Sequence, residues 1–245
     1  MNILVCITHV PDTTTKISFS DQNTKLDVAG VQFVIGPYDD YALARAVELR
    51  DAHGGKVTVL NVGTSDTEPT IRKALAIGAD EAIRVNTEPA DSRYVAEQIV
   101  RVAREDNYDL ILMGRESIDF NSGVVHGMVG ELLGWPSVSP VMKLDIENGT
   151  ARMECEIEGG RAFLEHPLPL VAGCQEPIAE WKIPNMRGIM TARSKPLRVI
   201  EPLAFDVSCR TLRYELPPPK GPIRFIPEEE AEKLIELLKN EAKVL

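Results

Sequence analysis

The sequence predicts an α/β fold: a mostly parallel sheet with helices on both faces in the doubly wound manner, antiparallel strand additions, and an extended C-terminal arm. Three observations carry this prediction. Short β-branched runs alternate with helical patterns over residues 2–114, hairpin signals fill 137–175, and a proline-rich stretch followed by one amphipathic segment closes the chain.

The runs "NILVCIT" (2–8), "KVTVLNVG" (56–63), "EAIRV" (81–85) and "DLILMG" (109–114) have the composition of parallel strands buried on both faces. Between them, residues 39–52 place Ala42, Leu43, Ala46 and Leu49 at helical spacing and stop at Gly54-Gly55. A second helix is expected to start on a Ser65…Glu68 capping box, to hold Pro69 in its first turn, and to finish at Gly78. Strands alternating with single helices require right-handed crossovers, and ligands of such sheets sit outside the carboxyl ends of the strands.

After Pro136 the pattern changes. Asn148-Gly149 and Gly159-Gly160 punctuate alternating runs and predict hairpins. Residues 176–202 are basic and proline-punctuated, 215–222 ("ELPPPKGP") are expected to be extended, and "PEEEAEKLIELLKN" is a final helix with Leu234, Ile235, Leu237 and Leu238 apolar. The expected organisation is one α/β body over 1–200 and an arm over 201–245.

Composition excludes several functions. A net charge of −10 over 245 residues argues against general nucleic-acid binding. Cys6, Cys155, Cys174 and Cys209 form no CxxC pair, so neither zinc nor a disulfide framework is expected, and a reducing compartment is the simplest setting. Met1 leads directly into "ILVCI" with no basic flank or cleavage pattern, and no run approaches a membrane span, so the expected location is the cytoplasm.

One turn stands out. In "GRESIDFNSGVVHGMVGELLGWP" (114–136), Asp119, Asn121, Ser122 and Gly123 precede a helical pattern, and the backbone N–H groups of Ser122 to Val125 would make an anion site. Alternatively, Asn121 or Ser122 merely caps the helix. Two other strand ends carry turn residues as well, "THVPDT" and "NVGTSD". The glycines match neither GxGxxG nor the P-loop. His9, His53, His126 and His166 have no metal-ligand spacing, and no nucleophile or paired-carboxylate motif is visible, so neither a metal site nor catalytic residues are expected. His126 lies in the first turn of the expected helix, where it could touch a phosphate or block it.

Together, "ITHVPDT" (7–13), "IGPYDDYALARAVELR" (35–50), "TIRKALAIGADEAIRV" (70–85), "GRESID…LLGWPS", "EIEGG…PLPLVAG" and "RGIMTARSKPLRVIEP" resemble the β subunit of electron transfer flavoproteins over essentially the whole chain. The resemblance implies an adenine-nucleotide-binding α/β subunit that is an electron carrier and not an enzyme by itself. Its implied partners are an α subunit holding the redox FAD, acyl-CoA dehydrogenase-type flavoenzymes that donate electrons, and a membrane quinone oxidoreductase that accepts them. The β subunit itself would hold AMP, or a second FAD in electron-bifurcating members.

By the same resemblance, the nucleotide would lie against Cys6, Gly36, Pro37, Tyr38, Asp39, Val62, Gly114, Arg115, Asp119, Asn121, Ser122, Gly123, Val124 and Val125, with Thr13 and Tyr38 near the α subunit's flavin. The partner-docking loop would be 182–193, with Lys182, Met186 and Arg187, where Met186 takes the place of an apolar anchor; Glu156 would meet the mobile flavin domain. The sequence departs from the family pattern in Phe120 and His126, where glycines are usual, in Gly36 for asparagine, Thr8 for lysine and Cys155 for arginine. Those departures imply a one-FAD, non-bifurcating protein whose β site holds AMP weakly or not at all. The rival readings are a bifurcating member with a second FAD, a stand-alone nucleotide-binding protein of the stress type, and an adenosine-phosphate-cleaving enzyme, for which the pyrophosphate loop is missing.

Overall fold

The computed structural model describes all 245 residues. Strand β1 (Asn2–Cys6) leads into an excursion of four short strands, β2 (His9–Pro11), β3 (Phe19–Ser20), β4 (Lys25–Leu26) and β5 (Phe33–Ile35), before helix α1 (Pro37–His53). The parallel unit continues with β6 (Lys56–Val62), α2 (Glu68–Ile77), β7 (Glu81–Val85), α3 (Ser92–Glu105), β8 (Leu110–Gly114) and α4 (Val125–Leu133). Strands β9 (Ser137–Glu147), β10 (Thr150–Ile157), β11 (Gly160–Pro167) and β12 (Leu170–Cys174) follow, then α5 (Met186–Ala192), β13 (Leu197–Ile200) and α6 (Ala231–Asn240).

One nine-stranded sheet runs in the order β11-β10-β9-β12-β8-β1-β6-β7-β13. All its pairs are parallel except β9 with β10 and β10 with β11. The strand period of two divides each central strand between two cores. Ile3 and Val5 enter the core under α1 and α2, while Leu4 and Cys6 enter the one under α3 and α4. The first hairpin turns where expected: Asn148 and Gly149 both take positive φ (50° and 78°), as a tight two-residue turn requires, whereas the second turns one residue earlier than the expected Gly159-Gly160. At the second hairpin, Glu158-Gly159 form the turn and Gly160 already pairs with Ile157.

Three local expectations are corrected. Helix α1 begins at Pro37, two residues before the expected start, because proline's fixed φ suits the first helical position. The Ser65…Glu68 capping box does not form: Ser65–Thr67 make a 3₁₀ turn, and no side chain caps α2. Neither Asn121 nor Ser122 caps α4, which starts at Val125 after Val124. Helix α3 is an element the sequence reading did not identify; Asp91 caps it by accepting from the Tyr94 N–H at 2.7 Å.

The carboxyl-terminal part is tied to the body at successive points. The buried Gln98 amide exchanges two hydrogen bonds with the Leu203 backbone (2.8 and 2.9 Å). Asp91 accepts from the Ser208 and Cys209 N–H groups, and Tyr214 stacks on Phe19. Beyond Tyr214 the chain leaves the body: Ile223 and Phe225 are 79% and 87% exposed, and Leu234 and Ile235 on α6 face solvent. No helix is long and apolar enough to cross a membrane.

Candidate functional site

The site is built on one buried carboxylate at the carboxyl ends of the central strands. Asp39, in the first turn of α1, accepts hydrogen bonds from the Thr8 N–H (2.8 Å), the Thr8 hydroxyl (2.6 Å) and the Gly114 N–H (2.7 Å). It thereby ties the ends of β1 and β8 to the start of α1. The glycines flanking it have a physical reason: a Cβ on Gly36 would meet Asp39 Oδ2 at 2.6 Å, and one on Gly114 would meet Asp39 Oδ1 at 2.6 Å. Burial pushes the Asp39 carboxyl up to about 6, against the pull of its three donors.

Above this node lies a cavity of about 640 Å³, bounded by the ends of β1, β6 and β8, the excursion before β5, residues 88–92, and the turn before α4. It is of the size that small-molecule and cofactor sites commonly have. Of the residues named from the sequence, Cys6, Asp39, Val62, Gly114, Arg115, Asp119, Ser122, Gly123, Val124 and Val125 line it. Gly36, Pro37, Tyr38 and Asn121 do not; Asn121 is exposed, and Tyr38 lies under the Arg115 guanidinium at 5.0 Å. Thr13 is exposed and outside the lining.

The turn before α4 gives the cavity its polar end. Asn121 (φ 49°) and Gly123 (φ 60°) take left-handed conformations that swing the backbone into the helix start. With no capping side chain, the first N–H groups of α4 are unclaimed by the fold. Such a helix end fits a phosphate monoester. Arg115 is the arginine of the lining, while Asp39, Asp66, Glu88, Asp91, Glu116 and Asp119 are its carboxylates, so a single phosphate is better matched than a longer anion.

Sequence reasoning missed several lining residues. Thr8, His9, Leu26, Val28 and Phe33 come from the excursion between β1 and α1; the His9 ring stacks on Phe33 (4.3 Å) and bonds the Thr70 hydroxyl (2.8 Å). Burial lowers the pKa of both His9 and His126. His126 lines the cavity, with Nδ1 3.3 Å from the Ser137 hydroxyl. No group of three or more His, Cys, Asp or Glu could hold a metal ion.

A second surface lies over α2. The Asn185 side chain caps α5 through the Gly188 N–H (2.8 Å), and Arg72 donates to the Ala192 and Lys195 carbonyls, fastening the segment from beneath. Gly188 approaches so closely that a Cβ there would lie 2.3 Å from the Ala76 carbonyl oxygen. On the outer side Met186 is 74% exposed, with Ile183 and Met190 beside it. Arg187 is exposed, and Lys182 pairs with Glu48 at 3.6 Å.

Comparison with known proteins matches residues 24–204 to the electron transfer flavoprotein domain. The electron transfer flavoprotein subunit beta of Bacillus subtilis (strain 168) is 33% identical over 259 aligned residues, covering 100% of both chains. That of Syntrophomonas wolfei is 34% identical over 249, covering 100% of this chain and 98% of the relative. The protein of the same description from Bradyrhizobium diazoefficiens is 29% identical over 251, covering 100% of both.

Proposed function

The chain belongs to the electron transfer flavoprotein family, as a β-type subunit, and from that premise we propose that it works as half of a heterodimer with an α subunit that holds a redox FAD. The FAD supplies the electron-accepting and electron-donating chemistry. This chain's residues bind the partner, shape the nucleotide cavity and dock the electron donor, and none of them is a catalytic group.

The observation that carries the reading is the cavity beside Asp39, whose uncapped α4 start and Arg115 suit one phosphate of an adenine mononucleotide. Cys6, Val62 and Ile99 supply apolar surface for the base, and Ser122 to Val125 the N–H groups for the phosphate. AMP is the ligand that matches this charge balance, held weakly because the carboxylates of the lining oppose it. The arm beyond Tyr214 packs on the α subunit, which would cover Ile223 and Phe225. Thr13 and Tyr38 face the flavin side, and Glu156 meets the mobile flavin domain.

Electrons arrive from an acyl-CoA dehydrogenase-type flavoenzyme that docks over Lys182, Met186 and Arg187, and leave to a membrane quinone oxidoreductase. An exposed, flexible thioether on a fastened helix suits an anchor shared by several partners. The proposed location is the cytoplasm. The test is reduction of the purified heterodimer: an acyl-CoA dehydrogenase with its substrate bleaches the flavin and NADH does not. Bleaching by NADH alone would overturn the reading.

One observation favours a second reading. A cavity of about 640 Å³ is larger than a mononucleotide needs, and a bifurcating subunit with a second FAD would use that volume. Phe120 and His126, both in the lining, oppose it by adding rings where the dinucleotide would pass.

A further inference from the structure

The cavity and the hairpin of β10 and β11 are joined by a continuous chain of side chains. Arg115 lines the cavity, donates to Glu116 Oε1 (2.9 Å), and donates to Gln175 Oε1 at 3.0 Å. Gln175, buried just past the end of β12, donates through Nε2 to Glu156 Oε2 at 2.7 Å. Glu156 is exposed near the tip of the hairpin. The neighbouring carboxylates, Glu116 foremost and Glu156 among them, also strengthen the hold of Arg115 on its proton.

We propose that Gln175 is a positioning residue that couples anion binding in the cavity to the state of Glu156 on the hairpin surface. A buried amide with both ends engaged has one orientation that satisfies both partners: its oxygen faces the guanidinium and its NH₂ faces the carboxylate. In that orientation Arg115 is held toward the β12 side of the cavity, shared between Gln175 and Glu116. An anion at the start of α4 competes with those acceptors for the guanidinium. When a cation on a partner surface draws the Glu156 carboxylate away from Gln175 Nε2, the amide loses its anchor and Arg115 is released toward the anion. Coupling of this kind is reciprocal: whatever engages Glu156 tightens anion binding, and the anion in turn readies Glu156 for a cationic partner. The inference rests on the proposed anion site and adds to it a link to a surface on the neighbouring hairpin.

The experiment is calorimetric titration of the full-length protein, in its heterodimer as purified, with AMP and with adenosine. The variants are Glu156→Ala, Gln175→Met, the double variant, and Glu158→Ala as a control on the same hairpin. Glu156→Ala and Gln175→Met are each expected to tighten AMP about 3-fold and to leave adenosine unchanged. The double variant is expected to gain nothing beyond Gln175→Met alone, the signature of residues acting as one unit. Equal effects of Glu156→Ala and Glu158→Ala, or additive effects in the double variant, would overturn the proposal.

If the wild-type protein binds neither ligand, the nucleotide reading itself fails, and the coupling is then judged without ligand. Glu156→Ala is expected to shift the Gln175 side-chain amide resonances and speed their hydrogen exchange, whereas Glu158→Ala is not. Resonances unmoved by Glu156→Ala would sink the coupling by this second route.

Discussion

Gly114→Ala tests the Asp39 node more sharply than any change to Asp39 itself, because the added methyl has a defined collision and no charge of its own. Its Cβ would lie 2.6 Å from Asp39 Oδ1, 2.7 Å from the Tyr38 Cβ and 3.1 Å from the Asp39 backbone nitrogen. The first turn of α1 must then move away from β8, since two of the three atoms belong to rigid parts of the helix. Overpacking of this kind costs roughly 1–3 kcal/mol. The movement also lengthens the bond from the Gly114 N–H to a charged acceptor, an interaction worth about 1.5–3 kcal/mol. A combined loss of about 3 kcal/mol corresponds, for a chain of this size, to a melting temperature lower by roughly 6–12 °C. Gly127→Ala is the control. Gly127 lies inside α4 with nothing within 4 Å of its absent Cβ, so alanine there should stabilise by about 0.5–1 kcal/mol. Differential scanning calorimetry of the two variants beside the wild type decides it. A Gly114→Ala variant melting at or above the wild-type temperature would refute the account of the node.

Three further outcomes are expected. Asp39 and Asp40 are both raised to about 6 by burial, so the folded state binds more protons than the unfolded one between about pH 4 and 6; their contribution to stability is complete below that window and is lost as pH rises through 6. Asp40, with one buried oxygen lacking any partner, carries part of this: Asp40→Asn should flatten the decline and stabilise the protein at pH 7 by roughly 2 kcal/mol in urea titrations. Arg115→Met should weaken AMP roughly 10- to 100-fold in equilibrium titrations and leave adenosine unchanged, the worth of one charge-assisted hydrogen bond to phosphate. Met186→Ala should leave the melting temperature within about 1 °C, since the side chain is mostly in solvent, while steady-state kcat/KM with the donor dehydrogenase falls about 10-fold, as for an interface anchor; an unchanged kcat/KM would remove Met186 from the docking surface.

The parallel strands were legible because runs such as "ILVCI" and "LILM" are buried on both faces and need no partner to be recognised. The hairpins were legible because Asn148-Gly149 specifies its own backbone. Helix α3 carried the same kind of signal, Asp91 before a run in which Ala96, Ile99, Val100 and Ala103 recur at helical spacing, and the sequence reading passed over it. The turn at 119–123 that borders the cavity could be read from the sequence, but the centre of the cavity could not. Asp39 reads as an ordinary first-turn acid of a helix, and its partner Gly114 is 75 residues away. The excursion between β1 and α1 likewise contributes His9 and Phe33 through a fold-back that local pattern does not specify.

The nucleotide content of the heterodimer distinguishes a one-flavin protein from a two-flavin one. The complex is purified with its α subunit, its bound nucleotides are released with acid, and FAD and AMP are counted per heterodimer. One FAD, with at most one AMP, is the predicted result. Two FADs per heterodimer would contradict the account and assign the cavity beside Asp39 to a second flavin.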